Sequence, residues 1–333
     1  MKLPEHIVKY LERVAGLVNG YIYARVQGKP DDLYNAALHL IRAGGKRLRP
    51  AIVIAVTEAL GEVAEKALPF AAAVELVHNF TLIHDDIMDR DEFRRGVPTV
   101  HKLWGEAMAI TAGDLLFAKA FEVLGDAEAK GIPHNMITRA LKTLAHASAV
   151  IAEGQALDMM FEQLEDVDID DYFQMIYKKT GALFEASAIL GGLVATEDES
   201  ILSSLALYGR NLGIAFQIRD DILGVAGKEE EIGKPVYSDI REGKKTLVII
   251  YALNQLEGDE KEKLVSILGN KQASREELEE AASLIKKSGA IDYAEKLARE
   301  YADKAIAALS VLPDNEAKKI LVDLAEFAAT RTK

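Results

Sequence analysis

Glu75-Leu76-Val77-His78-Asn79-Phe80-Thr81-Leu82-Ile83-His84-Asp85-Asp86-Ile87-Met88-Asp89 is the stretch from which the fold is read. Apolar residues recur at helical spacing from Phe70 to Ile87, which predicts an oily helix ending in three carboxylates. That end is unfavourable for acids, because the helix macrodipole is already negative there. At ~100° per residue, Asp85 and Asp89 share one face a turn apart, with Asp86 beside them. Like charges at that spacing repel, so the cluster implies a counter-ion. Carboxylate oxygens select hard cations, and an open half-shell suits Mg²⁺ that also holds a phosphate group. His78 and Thr81 continue the polar stripe below the acids, and Arg94 and Arg95 follow them closely. Metal-holding acids beside guanidinium groups match the two sides of a diphosphate. The plain alternative is a solvated helix end whose acids pair with nearby arginines.

Working outward, the 333-residue chain is 49% apolar and can bury a large core. Its formal net charge of −13 argues against nucleic acid and against an anionic membrane surface. It contains no cysteine, so it has neither disulfides nor thiolate chemistry. No signal-like run opens the sequence and no apolar stretch of about 20 residues could span a bilayer, which predicts a soluble cytoplasmic protein. Prolines 30, 50, 69, 98, 133, 235 and 313 fall between periodic segments, as at helix starts and breaks. No window shows sustained alternation bounded by hairpin turns. The strand-like run Leu247-Val248-Ile249-Ile250-Tyr251 continues into Ala252–Leu256 and reads as a buried helix. With no repeat and no linker, residues 1–333 form one all-α helical-bundle domain.

Four further segments carry chemistry. Gly44-Gly45-Lys46-Arg47-Leu48-Arg49-Pro50 reverses the sign of the chain, with glycines that let backbone approach an anion and cations to ring it. Its bland reading is a basic surface loop. Gln155 and Asp158 share a helical face, and Lys179-Thr180-Gly181 places an amine and a hydroxyl at the start of a small-residue helix. Either feature alone is usually solvated surface. Phe216-Gln217-Ile218-Arg219-Asp220-Asp221 repeats the pattern of an oily helix ending in paired aspartates. Two such helices can face each other and hold metals between them. The glycine-bounded segment 227–243, with Lys234 followed by Lys244, reads as a lysine-carrying lid.

Seven motifs in this order resemble the trans-isoprenyl diphosphate synthase (polyprenyl synthetase) family: GGKRLRP, DDIMD, RRGVPT, GQALD, KTG, FQIRDD and the GK/EGKKT pair. The closest flavour is the short-chain, geranylgeranyl type. The resemblance implies an all-α bundle around a deep central cavity, usually a homodimer, and Mg²⁺-dependent condensation of isopentenyl diphosphate with an allylic diphosphate. It implies that Asp85, Asp86, Asp89, Asp220 and Asp221 hold three Mg²⁺, with Asp158 and Gln155 supporting the metal side. Arg94, Lys179 and Lys234 match contacts to the allylic diphosphate, and Lys244 matches a lysine on the leaving group. Gly45, Lys46, Arg49, His78 and Arg95 match the isopentenyl diphosphate site, while Thr180 and Gln217 match polar groups near the reacting carbons. The second motif is usually DDxxD, but its last position here is Gly224, which predicts weaker support for one metal.

By the same resemblance, Phe80 followed by the small Thr81 favours a twenty-carbon product, with Phe80 ~7.5 Å below Asp85 along the helix. Ala71-Ala72-Ala73 deeper down offers little to stop a longer tail. The expected product is mainly geranylgeranyl diphosphate. The alternatives are a farnesyl or bifunctional farnesyl/geranylgeranyl synthase and, in another class, a non-catalytic regulatory subunit. Terpene cyclases generally lack the basic site that Lys46, Arg49 and Arg95 form here, and head-to-head synthases space their aspartates differently.

Overall fold

The structure, a computed structural model, describes residues 4–162, 164, 167–226 and 237–331. The fold is all-α, as the periodicity predicts. Helix α3 (Leu48–Ala59) is buried along nearly its whole length and packs between α4 (Ala64–Met88) and α9 (Ala182–Leu193). Helix α10 (Glu199–Ala226) packs on α9 and on α15 (Ala290–Ala308). Buried Ala290, Ala294, Ala298, Ala302 and Ala305 recur at three- and four-residue steps along α15, so the α10 backbone can lie close to it. Helices α6 (Glu106–Gly125) and α7 (His134–Phe161) complete the wall beside α4. One cluster of buried apolar side chains runs through the molecule, from Ile7 of α1 (Glu5–Arg25) to Ala329 of α16 (Glu316–Thr330).

The run from Leu247 is helical, forming α12 (Leu247–Gln255) with Leu247, Val248, Ile249 and Ile250 all buried. Helix α4 starts five residues before Pro69, so this proline sits within the helix instead of breaking it. One local feature departs from the reading of the sequence. Phe93–Arg94 (β1) pairs antiparallel with Val97–Pro98 (β2). Strands of two residues are too short to show alternation. Arg95 and Gly96 form the turn with φ of 54° and 76°, the positive pair of a type I′ hairpin. This hairpin sets Arg94 and Arg95 just beyond the acidic end of α4. Among the described residues, no helix is long and apolar enough to cross a membrane.

Candidate active site

Helix α4 ends where its acids begin to crowd. Asp89 caps it, with its N–H donating to Asp85 O at 2.8 Å. Burial pushes the Asp85 carboxyl up to about 6; like-charged Asp89 and Asp158 add to this, and Lys179 and Arg94 oppose it. Asp86 faces another way. It is fully buried and accepts a hydrogen bond from Arg94 Nε, so it holds the hairpin arginine in place.

Across from these acids lies a cavity of about 360 Å³, lined by Asp158, Lys179, Thr180, Gln217, Asp220 and Asp221, with Arg94 at its side. Lys179 and Thr180 stand on a π-helical turn, Tyr177–Gly181, a conformation often found at functional sites. The turn presses against α7 at Gly154, where a Cβ would stand 2.7 Å from Lys179 Cα. Glycine there is what lets the backbones meet. Lys179 Nζ reaches Asp158 at 2.5 Å. A hydrogen-bonded row crosses the cavity floor. Thr180 Oγ1 donates to Gln217 Oε1 at 2.8 Å, and Gln217 Nε2 donates to Asp221 Oδ1 at 2.9 Å. Asp221 Oδ2 accepts from Tyr172 Oη at 2.6 Å. Burial raises the Asp221 carboxyl to about 7, against the pull of these donors. Lys244 also faces the cavity; burial opposes its charge, but Glu242, Asp89 and Asp239 hold its ammonium well above the usual lysine range.

Arg47 and Arg49 of the GGKRLRP segment reach the α4 residues Glu75 and His78. Arg49 Nη1 lies 3.4 Å from His78 Nε2, and its guanidinium sits over the Phe184 ring at 4.4 Å. Among the described residues Arg49 Nε is buried without a hydrogen-bond partner. Burial lowers Arg49 to about 10 even though Glu75 and Asp220 favour its charge. Burial, reinforced by the surrounding arginines, holds His78 neutral. Gly45, at φ 133°, leaves room for Arg47 Nη1 and Arg95 Cζ, which would stand 2.8 and 2.9 Å from a Cβ there. Lys46 is exposed, its ammonium 5.2 Å from the Phe327 ring centroid. An unpartnered buried donor among these cations fits an anion, and the cluster lies near enough to the acid-lined cavity for Asp220 to act on Arg49.

Several of these groups escape a reading of the sequence. Arg47 does not reach the pocket: it is buried against Glu75 at 3.0 Å and donates to Asn19 Oδ1, Gly44 O and Ile41 O. Asn79 Nδ2 ties to the same Glu75 carboxylate at 2.8 Å. Arg331 comes back from beyond α16 to pair with Asp220, its guanidinium 3.7 Å over the Phe216 ring. Tyr172 carries no motif signal at all. An acid inside an oily helix, as Glu75 is, was the one legible hint. Gln155 does not line the 360 Å³ cavity; its Nε2 lies 3.5 Å from Met88 Sδ at the end of α4. Phe80 and Thr81 do not line the 360 Å³ cavity. Phe80 packs on His84 and on Phe117 of α6, with ring centroids 4.9 and 5.2 Å away, and Thr81 Oγ1 donates to His78 O at 2.8 Å. Lys234 lies outside the described residues.

The donor set fits magnesium: carboxylate oxygens crowded enough that burial and mutual repulsion raise the pKa of Asp85. Among the described residues, no three acids or imidazoles close a cage of their own, so ligand oxygens would complete the shell. A helical bundle with two aspartate-ended helices and a cation cluster nearby fits an enzyme acting on prenyl diphosphates, and sequence comparison agrees. A profile of the polyprenyl synthetase family matches residues 30–285. The geranylgeranyl diphosphate synthase of Saccharolobus solfataricus is 48% identical over 326 residues, spanning 97% of this chain and 98% of its own. The geranylfarnesyl diphosphate synthase of Aeropyrum pernix is 48% identical over 321 residues, spanning 95% of this chain and 100% of its own. The crystal structure of geranylgeranyl pyrophosphate synthetase from Pyrococcus horikoshii superposes with a TM-score of 0.93 at 45% identity, covering 98% of this chain and 99% of that one. The chain belongs to the polyprenyl synthetase family.

Proposed function

We propose that this protein is a magnesium-dependent trans-prenyltransferase that condenses isopentenyl diphosphate with dimethylallyl, geranyl and farnesyl diphosphates, giving mainly geranylgeranyl diphosphate and diphosphate. The observation that carries the reading is an acid-lined cavity with a cluster of buried cationic and imidazole groups, Arg49, Arg95 and His78, close to it. Asp85, Asp89, Asp158, Asp220 and Asp221 would hold magnesium, with Asp86 acting through Arg94. Three ions per site, when bound, neutralise the charge that develops on the leaving diphosphate. Arg94, Lys179 and Lys244 stabilise the same charge from the protein side, the electrostatic contribution that usually dominates. As the allylic C–O bond breaks, diphosphate keeps the electron pair. The isopentenyl double bond attacks the allylic cation, and the departing diphosphate takes the proton then lost. Gly45, Lys46, Arg49, His78 and Arg95 hold isopentenyl diphosphate, while Thr180 and Gln217 present their dipoles to the reacting carbons.

The proposal takes the chain as a single domain, which its continuous core supports, and retains the cytoplasmic location expected from the sequence. It also takes the working unit as a homodimer. Exposed Ile110 and Phe117 on α6 and Met159 and Met160 on α7 are apolar side chains that a second copy could cover. Chromatography of products from isopentenyl diphosphate and each starter, with and without Mg²⁺, tests the assignment. A purified homomer with no magnesium-dependent product would overturn it in favour of a regulatory subunit. A twenty-five-carbon product is the second reading, favoured by the Aeropyrum pernix relative and by the small Ala71–Ala73 below Phe80.

A further inference from the structure

Gly224 closes the second aspartate motif where the family pattern has a third acid. It lies one helical turn beyond Asp220 in α10, so a side chain there would project from the same face. That space is filled from elsewhere. A Cβ on Gly224 would overlap Asp239 Oδ2 and stand 2.7 Å from Asp239 Cγ. Asp239 belongs to the short helix α11 (Ser238–Glu242), which is pinned on both sides of the carboxylate. Ile240 is fully buried and its carbonyl accepts from Gly269 N at 2.9 Å, while Asp239 O accepts from Lys244 N at 3.0 Å. The carboxylate lines the same cavity as Asp220, Asp221 and Lys244. An independent feature shows that this wall is built for a polar ligand. Thr246, 7% exposed, lines it too, and its Oγ1 has no hydrogen-bond partner among the described residues.

We infer that Asp239 supplies the third carboxylate of the second aspartate motif, reaching from α11 into the volume that Gly224 leaves open. The inference rests on the proposed role of the cavity and extends it by one residue. Glycine in a helix costs up to about 1 kcal/mol against alanine, and at position 224 it keeps the approach of Asp239 clear. The missing acid of the motif has thus changed helices. The site keeps three carboxylates, and the weaker metal support expected from Gly224 does not follow.

A relocation test separates this role from a structural one such as pairing with Lys244. Wild type, Asp239→Asn, Asp239→Ala and the double variant Gly224→Asp/Asp239→Ala are titrated with Mg²⁺ in the presence of inorganic diphosphate. Calorimetry and the thermal shift serve as readouts, with turnover measured in parallel. Both single variants should weaken magnesium binding about ten- to a hundredfold while the metal-free melting temperature stays put. The double variant should recover most of that loss, since its carboxylate again faces the same volume. Wild-type affinity in Asp239→Asn, or a double variant no better than Asp239→Ala, overturns the inference and leaves the proposed function standing. A wild-type protein that binds no magnesium with diphosphate would sink both.

Discussion

Behind the cation cluster, Arg47 commits its guanidinium to Glu75, to Asn19 and to two loop carbonyls, all within the protein. Arg95 does likewise, donating to Leu40 O at 2.7 Å and to Gly44 O. In the acid-lined cavity, the charges meet partners that a ligand can replace: Lys179 on Asp158, Arg331 on Asp220. The first region is a rigid cation socket, its guanidinium groups tied to loop carbonyls and to Glu75. The second is a set of carboxylates, each held by a single side-chain cation or hydrogen-bond network. Preorganisation thus differs between two halves of one site, because a buried cation can be satisfied by carbonyl groups of its own loop. The carboxylates have side-chain donors such as Tyr172, Gln217 and Lys179, yet burial still raises Asp85 and Asp221, so an added positive charge is favoured there.

Breaking the two halves should therefore have different consequences. Glu75→Ala leaves the Arg47 charge buried without its carboxylate, and such losses typically cost about 3–5 kcal/mol. Chemical denaturation should show a drop of that size, with Glu75→Gln milder; a change below about 1 kcal/mol would mean that Glu75 does not hold the socket. Asp85→Ala should do the reverse, lowering turnover about 10²–10³-fold with the fold intact. Near-native turnover from that variant would refute the metal assignment.

The sign of a pH effect sharpens the contrast. Asp85 has a folded pKa raised to about 6, so its ionised form is disfavoured in the metal-free protein. For an acid shifted upward, stability is lost as pH rises through that value. Asp85→Asn should accordingly stabilise the metal-free protein more at pH 7.5 than at pH 4, read as a difference in melting temperature. Equal gains at both values would show that the carboxylate is not strained there.

Smaller effects probe substrate partition and product length. Lys46→Ala should raise KM for isopentenyl diphosphate about tenfold, roughly 1.4 kcal/mol, while the allylic KM stays near wild type. Equal changes in both would erase the division into two pockets. Phe80→Ala should lengthen the products, because it removes the ring that packs between His84 and Phe117. An unchanged distribution from a folded, active variant would place the floor elsewhere, with Phe117 the next residue to truncate.

Local periodicity by itself determined the helices and where their acids fall: the α4 acids at Asp85–Asp89, the α10 acids at Asp220 and Asp221, and the buried helix from Leu247. A helical face is a property of residues three and four apart, so a single window of sequence contains it. Packing alone decided the rest. Asp239 occupies the space beside Gly224, Arg331 returns to Asp220, Tyr172 donates to Asp221, and Arg47 turns inward to Glu75 while Arg49 reaches His78 and Lys46 lies over Phe327. Even the Arg95–Gly96 hairpin turn needs its setting, since an arginine at positive φ is costly by about 1 kcal/mol and bonds from Arg95 to loop carbonyls offset it. Each of these contacts joins segments whose approach is set by how helices cross and where glycine lets backbones meet. Such meetings depend on the whole core, and no local window of the chain encodes them.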